Sequence, residues 1–342
     1  MADKRIPVTL LTGFLGSGKT TLLNQLLSHQ ELKNSAVIIN EIGSTGLDHI
    51  LATQVDSQHI ADNTVLLSNG CVCCTLKNEL ADTMRDLFFK RALQAIPQFD
   101  RLIIETTGLA DPGPILGNLM NEPLIESVFR LDAVVVTIDA VYGLDQLNSQ
   151  PEAKSQVAVG DVLLITKTDL ATQTQIIQLQ ETLQAINATA TQHSVINGRT
   201  EPAFLIDIGL FDPAGKRAKP ERWLRAPKDF KSMRHQPKRM LTKPAHDGIV
   251  SFTVTLASPI NWRDLKPVIL KLCQTHGKNL LRLKGIIHAA DLDHPIAIHA
   301  VHFTPYPPTL LEGWTEENPS NRIVIIGKNL DEQEIVKLLT RF

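Results

Sequence analysis

Cysteine is scarce in this chain, and what there is lies bunched: the 342 residues hold 4 cysteines, of which Cys71, Cys73 and Cys74 share one tetrapeptide. Such bunching does not make a disulfide framework, which needs spaced pairs, and a reduced, metal-binding use of the thiols is expected instead. Long apolar runs are missing as well. None approaches the ~20 residues that carry a helix across a bilayer. Met1–Arg5 lead into an apolar stretch without the hydrophobic region or small-residue cleavage site of a secretory signal, so a cytoplasmic location and no membrane partner are expected. Excess charge is absent too, and a net charge of -2 predicts no general attraction to nucleic acid or to anionic lipid. A hydrophobic content of 43% over this length does supply a large core and room for about two domains.

The most informative stretch is Val8 to Thr21. An apolar run turns on Gly13-Phe14-Leu15-Gly16-Ser17-Gly18-Lys19-Thr20 and passes into Thr20–Leu27, which has helical spacing and neither Pro nor Gly. Strand, loop and helix in that order, around G-x-x-x-x-G-K-T, make a phosphate-binding loop. Gly13, Gly16 and Gly18 permit torsions that let successive N–H groups, Ser17 and Thr21 among them, point at phosphate oxygens beside a positive helix N-terminus. Lys19 is placed for the β- and γ-phosphates and the Thr20 hydroxyl for Mg²⁺.

Downstream, short apolar runs alternate with longer helical ones: Ala36–Ile39, Thr64–Leu67, Arg101–Ile104, Ala133–Val136 and Val162–Ile165 read as strands buried on both faces, with Leu76–Ile96 and Gln173–Ile186 as covering helices. The expected fold class is α/β, a P-loop NTPase domain with a mostly parallel sheet, followed by a smaller α+β C-terminal domain. Ligands of such sheets bind outside the C-terminal strand ends, which makes the residues after each strand the ones to inspect.

After the second strand comes Asn40-Glu41-Ile42-Gly43, the start of a polar loop that reads either as a switch sensing the γ-phosphate or as an ordinary surface loop. After the third, Gly70 and the three cysteines suit a soft metal such as Zn²⁺. Three ligands leave a position open, which favours an exchanged ion, and Glu41 is the first candidate to complete the set. Redox-active thiols and plain buried cysteines are the rival uses. Cys273, alone on a helix's apolar face, reads as core. Glu105 ends the fourth strand, where a Mg²⁺ ligand belongs beside a P-loop, and Gly108 is placed to offer an N–H to the γ-phosphate. Asp100, at the far end of that strand, reads as a surface charge. After the sixth strand, Lys167 supplies a stem to lie along a base and Asp169 a carboxylate for the paired N–H donors of guanine, which favours GTP over ATP. Val195–Gly198 is positioned to close over the base.

These motifs, in this order, resemble the CobW-type metal-associated P-loop GTPases, relatives of the hydrogenase and urease nickel-insertion GTPases, and the likeness covers nearly the whole chain. It implies GTP hydrolysis, by way of Lys19, Glu105 and Gly108, coupled to handling of Zn²⁺ or a similar ion for a metal-dependent client. Thr20 and Glu105 would hold Mg²⁺, the cysteine cluster would hold the transferred ion, and dimerisation with nucleotide or metal is a further implication. Departures exist. Thr166 stands where many relatives have Asn at the head of the guanine motif, and the His-rich tract of many relatives is lacking. The alternative function is a nucleotide-regulated binding module whose cysteines sense redox state or hold metal structurally.

Three segments are expected: a GTPase domain over 1–211, a linker over 212–246 and a CobW-like domain over 247–342. Asp212–Lys243 carries eleven Lys/Arg against three Asp/Glu, with four prolines, and reads as exposed. In the last segment, Gly248–Leu256, Leu280–Ala289, Ile296–Phe303 and Arg322–Gly327 read as strands, and Asn261–His276 and Asp331–Phe342 as helices. Arg282-Leu283-Lys284-Gly285 resembles a turn of the family's C-terminal domain. His299 and His302, three apart in one strand, should face opposite sides and so pack or lie on the surface with His288.

Overall fold

The computed structural model describes residues 5–40, 65–69, 76–204, 248–312 and 320–341. Glu41, Cys71, Cys73, Cys74 and the basic segment 212–246 fall outside these. The chain divides into two compact units, Met1–Leu179 with Thr191–Gly209, and Gln180–Ala190 with Leu210–Phe342.

In the N-terminal part, β1 (Ile6–Gly13), β2 (Ser35–Asn40), β3 (Val65–Asn69), β4 (Arg101–Glu105), β5 (Phe129–Asp139), β6 (Val162–Thr166) and β7 (Thr191–Val195) form a sheet in the order β3-β2-β4-β1-β5-β6-β7. Every pairing among these strands is parallel. The helices of this part are α1 (Lys19–Leu27), α2 (Leu76–Ala92), α3 (Pro112–Asn121), α4 (Pro123–Val128), α5 (Gly143–Ser149), α6 (Pro151–Val159) and α7 (Gln173–Ile186). A parallel sheet covered on both faces needs strands apolar throughout, and β4 and β6 are buried at all positions. Helix α1 sets Leu22, Leu23, Leu26 and Leu27 into one cluster with Leu11, Val37, Ile103, Val135 and Leu164. Burial of a leucine side chain contributes about 1.5–3 kcal/mol, so this stripe anchors the helix that leaves the P-loop.

Strand β5 starts four residues before the apolar run that marks it in the sequence. Of its early charges Asp132 is buried and Arg130 partly so: Asp132, with its side chain fully covered, takes Arg101 Nη1 at 2.9 Å and Arg130 Nη1 at 3.3 Å. Helix α2 stops at Ala92, short of the expected Ile96. Asp100 is exposed, as expected.

The C-terminal part contains β8 (Ile249–Leu256), α8 (Trp262–His276), β9 (Leu280–Ile287), β10 (Ile296–Val301), β11 (Thr304–Pro305), β12 (Thr309–Leu310), β13 (Asn321–Lys328) and α9 (Glu332–Leu339). The antiparallel sheet runs β11-β10-β9-β13-β8, with β12 on β10. Leu265, Ile269, Leu272 and Cys273 of α8 and Ile335 and Leu339 of α9 join Leu283, Ile298, Ile323 and Ile325 of the sheet in one core. Cys273 is core, as its position implied. Two expectations need correction. Arg282–Gly285 is not a turn but the middle of β9, paired on one side with β10 and on the other with β13. His302 lies past the end of β10 with φ 52°, its Nδ1 3.1 Å from the Gly277 carbonyl oxygen, so it does not alternate with His299, whose ring packs on Tyr306 at 3.8 Å.

Candidate functional site

The parallel register brings the strand ends together. Leu11 of β1 lies beside Glu105 of β4, Gly13 beside Thr137 of β5, and Asp139 of β5 beside Thr166 of β6. The loop between β1 and α1 is thus flanked on both sides by polar residues.

Within the loop, Gly13 has φ 144°, and a Cβ there would run into the Thr137 hydroxyl and carbonyl oxygens and approach Ser17 Oγ at 2.8 Å. No other residue fits this crossing of β1 and β5. Gly16 and Gly18 also have positive φ, 73° and 90°, and Gly18 is the residue that caps α1. Ser17 is fully buried, with its hydroxyl 2.7 Å from that of Thr137. The P-loop is therefore clamped to β5 by side chains from within.

Lys19 opens α1 and folds back over the loop, its Nζ donating to the Gly13 carbonyl at 2.9 Å and the Phe14 carbonyl at 3.3 Å. The ammonium so sits in the arc of the loop, and phosphate oxygens entering that arc would exchange with the two carbonyls. Thr20 donates its hydroxyl hydrogen to Glu105 Oε1 at 3.0 Å. A hydroxyl and a buried carboxylate side by side at the P-loop exit are hard oxygen donors of the kind Mg²⁺ takes. The residues present fit that ion. Thr21 is exposed on the first turn of α1.

Gly108 lies against the P-loop. A Cβ on it would meet Leu15 N and Cδ2 at 2.6 Å, so the segment after Glu105 rests directly on the loop backbone. Its position is held from behind by Gln156 of α6, whose Nε2 donates to the Gly108 carbonyl at 3.1 Å and to the Ala110 carbonyl at 3.0 Å. Asp111 then caps α3 by accepting from Gly113 N at 3.0 Å.

Across the loop, Thr166 Oγ1 bonds the Ser17 carbonyl at 2.8 Å. Thr166, at the head of the expected guanine motif, thereby ties the segment that follows it to the P-loop. Lys167, with φ 56°, donates from Nζ to the Gly16 carbonyl at 2.8 Å and to Asp139 Oδ2 at 2.6 Å. Leu170 N bonds the Lys167 carbonyl at 3.0 Å, closing a turn that leaves Asp169 exposed. The Asn197-Gly198 turn packs on α1, where a Gly198 Cβ would come 2.8 Å from the Thr21 carbonyl oxygen.

Gly13, Gly16, Ser17, Gly18, Lys19, Thr20, Thr21, Glu105, Gly108 and Lys167 are thus gathered at one edge of the sheet, and Asp169 follows in the turn. The candidate transition-metal ligands Glu41, Cys71, Cys73 and Cys74 lie outside the described residues, and among the described residues no group of three or more His, Cys, Asp or Glu is placed to hold a metal. Sequence reasoning missed Thr137, Asp139 and Gln156. Thr137 and Asp139 carried a signal, being polar residues at the tip of an apolar strand; Gln156 carried none.

Residues 7–194 match the family described as CobW/HypB/UreG, nucleotide-binding domain, and residues 249–342 match the Cobalamin synthesis protein cobW C-terminal domain. The zinc chaperone YjiA of Escherichia coli is 35% identical over 335 residues, with 96% of each chain covered. The zinc chaperone CobW of a Sinorhizobium species is 28% identical, with 98% of this chain and 97% of that one covered. The crystal structure of the Zn(II)-bound YjiA GTPase from E. coli matches 98% of both chains with a TM-score of 0.71 at 30% identity. Identity that runs the length of the chain joins the separate matches of its two halves, and the protein belongs to the CobW/HypB/UreG family of nucleotide-binding proteins.

Proposed function

We propose that this chain is a GTPase that couples nucleotide turnover to the binding and delivery of a transition metal, with zinc as its cargo, to a metal-dependent client protein. The observation that carries the reading is the Thr20–Glu105 pair, 3.0 Å apart, beside a P-loop whose Lys19 ammonium lies within the loop's own arc. Relatives described as zinc chaperones, and a Zn(II)-bound structure of one described as a GTPase, supply the cargo and the nucleotide.

In this reading Lys19 neutralises the β- and γ-phosphates, and the N–H groups of the loop receive their oxygens. Thr20 and Glu105 hold Mg²⁺, which supplies charge neutralisation at the phosphates. Gly108, resting on Leu15, places its segment against the γ-phosphate, so that hydrolysis is felt by the chain that continues to Asp111 and α3. Lys167 and Asp169 receive the guanine. Cys71, Cys73 and Cys74, with Glu41 from the switch loop, hold the zinc. Turnover in such an arrangement is slow and metal-stimulated. The domain limits that go with it are 1–211, 212–246 and 247–342. The location is cytoplasmic, and nucleotide- or metal-dependent pairing of two copies is part of the proposal. No helix among the described residues is long and apolar enough to cross a membrane.

The test is turnover of GTP and of ATP by metal-free protein in Mg²⁺, with each divalent transition metal added back in turn. GTP should be hydrolysed and ATP much less, zinc should change the rate, and Asp169→Asn should erode the preference for GTP. Equal turnover of both nucleotides, or an Asp169→Asn variant with an unchanged GTP/ATP ratio, would refute the guanine reading. If the cysteines were structural, metal removal would unfold the protein rather than alter its rate. Zinc stoichiometry alone does not decide, since a triple mutant of the E. coli relative with a glutamate and two cysteines replaced by alanine is itself Zn(II)-bound.

A further inference from the structure

The P-loop and the base-reading turn meet in a three-point contact whose acidic member has no part in the function proposed so far. Lys167 Nζ sits 2.8 Å from the Gly16 carbonyl oxygen and 2.6 Å from Asp139 Oδ2. Asp139 ends β5 and is 2% exposed. Its other oxygen, Oδ1, accepts from Val141 N at 2.7 Å and Tyr142 N at 3.1 Å, so the carboxylate cannot swing away. Register places it beside Thr166, and the chain emerges from β6 into Lys167 alongside that carboxylate.

A lysine stem is floppy, and its ammonium prefers water to a lone carbonyl. A buried carboxylate changes that balance, because a charge-assisted bond is stronger than a neutral one, and here it holds an ammonium whose own side chain is 39% exposed. The side chain is then pinned at its tip while its backbone is fixed by the αL turn that carries Asp169.

We propose that Asp139 is the positioning residue of the base site: it holds the Lys167 ammonium on the Gly16 carbonyl, so that the lysine stem forms a preset wall for a purine base. The same contact keeps the P-loop and the turn bearing Asp169 at one spacing. The inference rests on the GTP reading for the identity of the base, and its test is separable from that reading.

Binding of GDP and of ADP is measured by calorimetry on the full chain, for the wild type, Asp139→Asn, Lys167→Met, the double variant and Lys167→Arg. Asparagine keeps an acceptor for Val141 N and Tyr142 N and removes the charge. Methionine keeps the apolar stem and removes the ammonium. Each single variant should weaken GDP and ADP alike by about tenfold, and the double variant by about tenfold again relative to wild type rather than a hundredfold, because both substitutions break one contact. Lys167→Arg, which can still bridge a carboxylate and a carbonyl, should recover most of the affinity. With GTP, Asp139→Asn should raise KM and leave kcat little changed. Wild-type affinity in Asp139→Asn or Lys167→Met, or multiplied losses in the double variant, would overturn the proposal. Should Asp139→Asn fail to fold, the contrast between Met and Arg at 167 decides it: loss with Met and recovery with Arg supports the tether, and equal affinities refute it. Equal GDP and ADP affinities in the wild type would sink the guanine reading and leave this cycle interpretable.

Discussion

Lys19 and Gly108 both touch the P-loop, and each makes a prediction at the scale of one residue. Lys19→Ala removes two bonds from the ammonium to the Gly13 and Phe14 carbonyls along with the phosphate-facing charge. GTP turnover should fall by at least about a hundredfold, in line with loss of a charge that stabilises a transition state. The protein should still fold, at a cost of about 1–3 kcal/mol read from urea unfolding. Normal turnover in that variant would refute the role of Lys19. Gly108→Ala puts a methyl group 2.6 Å from Leu15 N, so one backbone must give way. A loss of about 1–3 kcal/mol and a marked drop in turnover are expected, and wild-type values of both would show that the contact is slack. The sequence showed Lys19 because a phosphate loop needs a lysine at that place, and Gly108 because it follows the carboxylate at a strand tip. Asp139 and Gln156 act on partners 28 and 48 residues away, and no local pattern announces such a pairing.

Among the elements, strands were read from sequence more readily than helices. Parallel strands buried on both faces, such as Val162–Thr166, are continuous apolar runs that stand out without any partner. Strand β5 was cut short in the reading because Arg130 and Asp132 look like loop residues until Arg101 is seen to neutralise Asp132. Helices α3, α4 and α6 went unnoticed because each begins with a proline, which looks like a breaker but suits the first helical turn. Helix α8 has an apolar stripe strong enough to be recognised, and it makes its own prediction. Burial pushes the Cys273 thiol up to about 12. In the unfolded chain it titrates near about 8.5, so stability present below that pH is lost as pH rises from there towards the folded value. At pH 8 the folded protein should leave Cys273 unalkylated by iodoacetamide, as read by peptide mass spectrometry, and urea should expose it. Rapid labelling in the native state would contradict its place in the core.

At the scale of the whole molecule, the P-loop, Glu105 and the Lys167–Leu170 turn share one edge of the first sheet, and β2 and β3 end at that same edge. Glu41 follows β2 directly, and Gly70 alone separates β3 from Cys71. In chain order, then, the candidate zinc ligands follow strands that end at the same sheet edge as the P-loop. If Glu41 completes a zinc site with two or three thiolates, the nucleotide state must alter zinc affinity, and zinc must alter GTP affinity by the same factor. Coupling of about 1–3 kcal/mol, or roughly 5- to 150-fold, is the ordinary size of such an effect. The decisive measurement is Zn²⁺ affinity with GDP and with a non-hydrolysable GTP analogue, on the wild type and on a Cys73→Ala/Cys74→Ala variant. A difference of at least about fivefold between nucleotide states, lost in the variant, is the predicted result; equal affinities in both states, or a difference that survives removal of the two cysteines, would contradict the coupling of GTP turnover to zinc delivery.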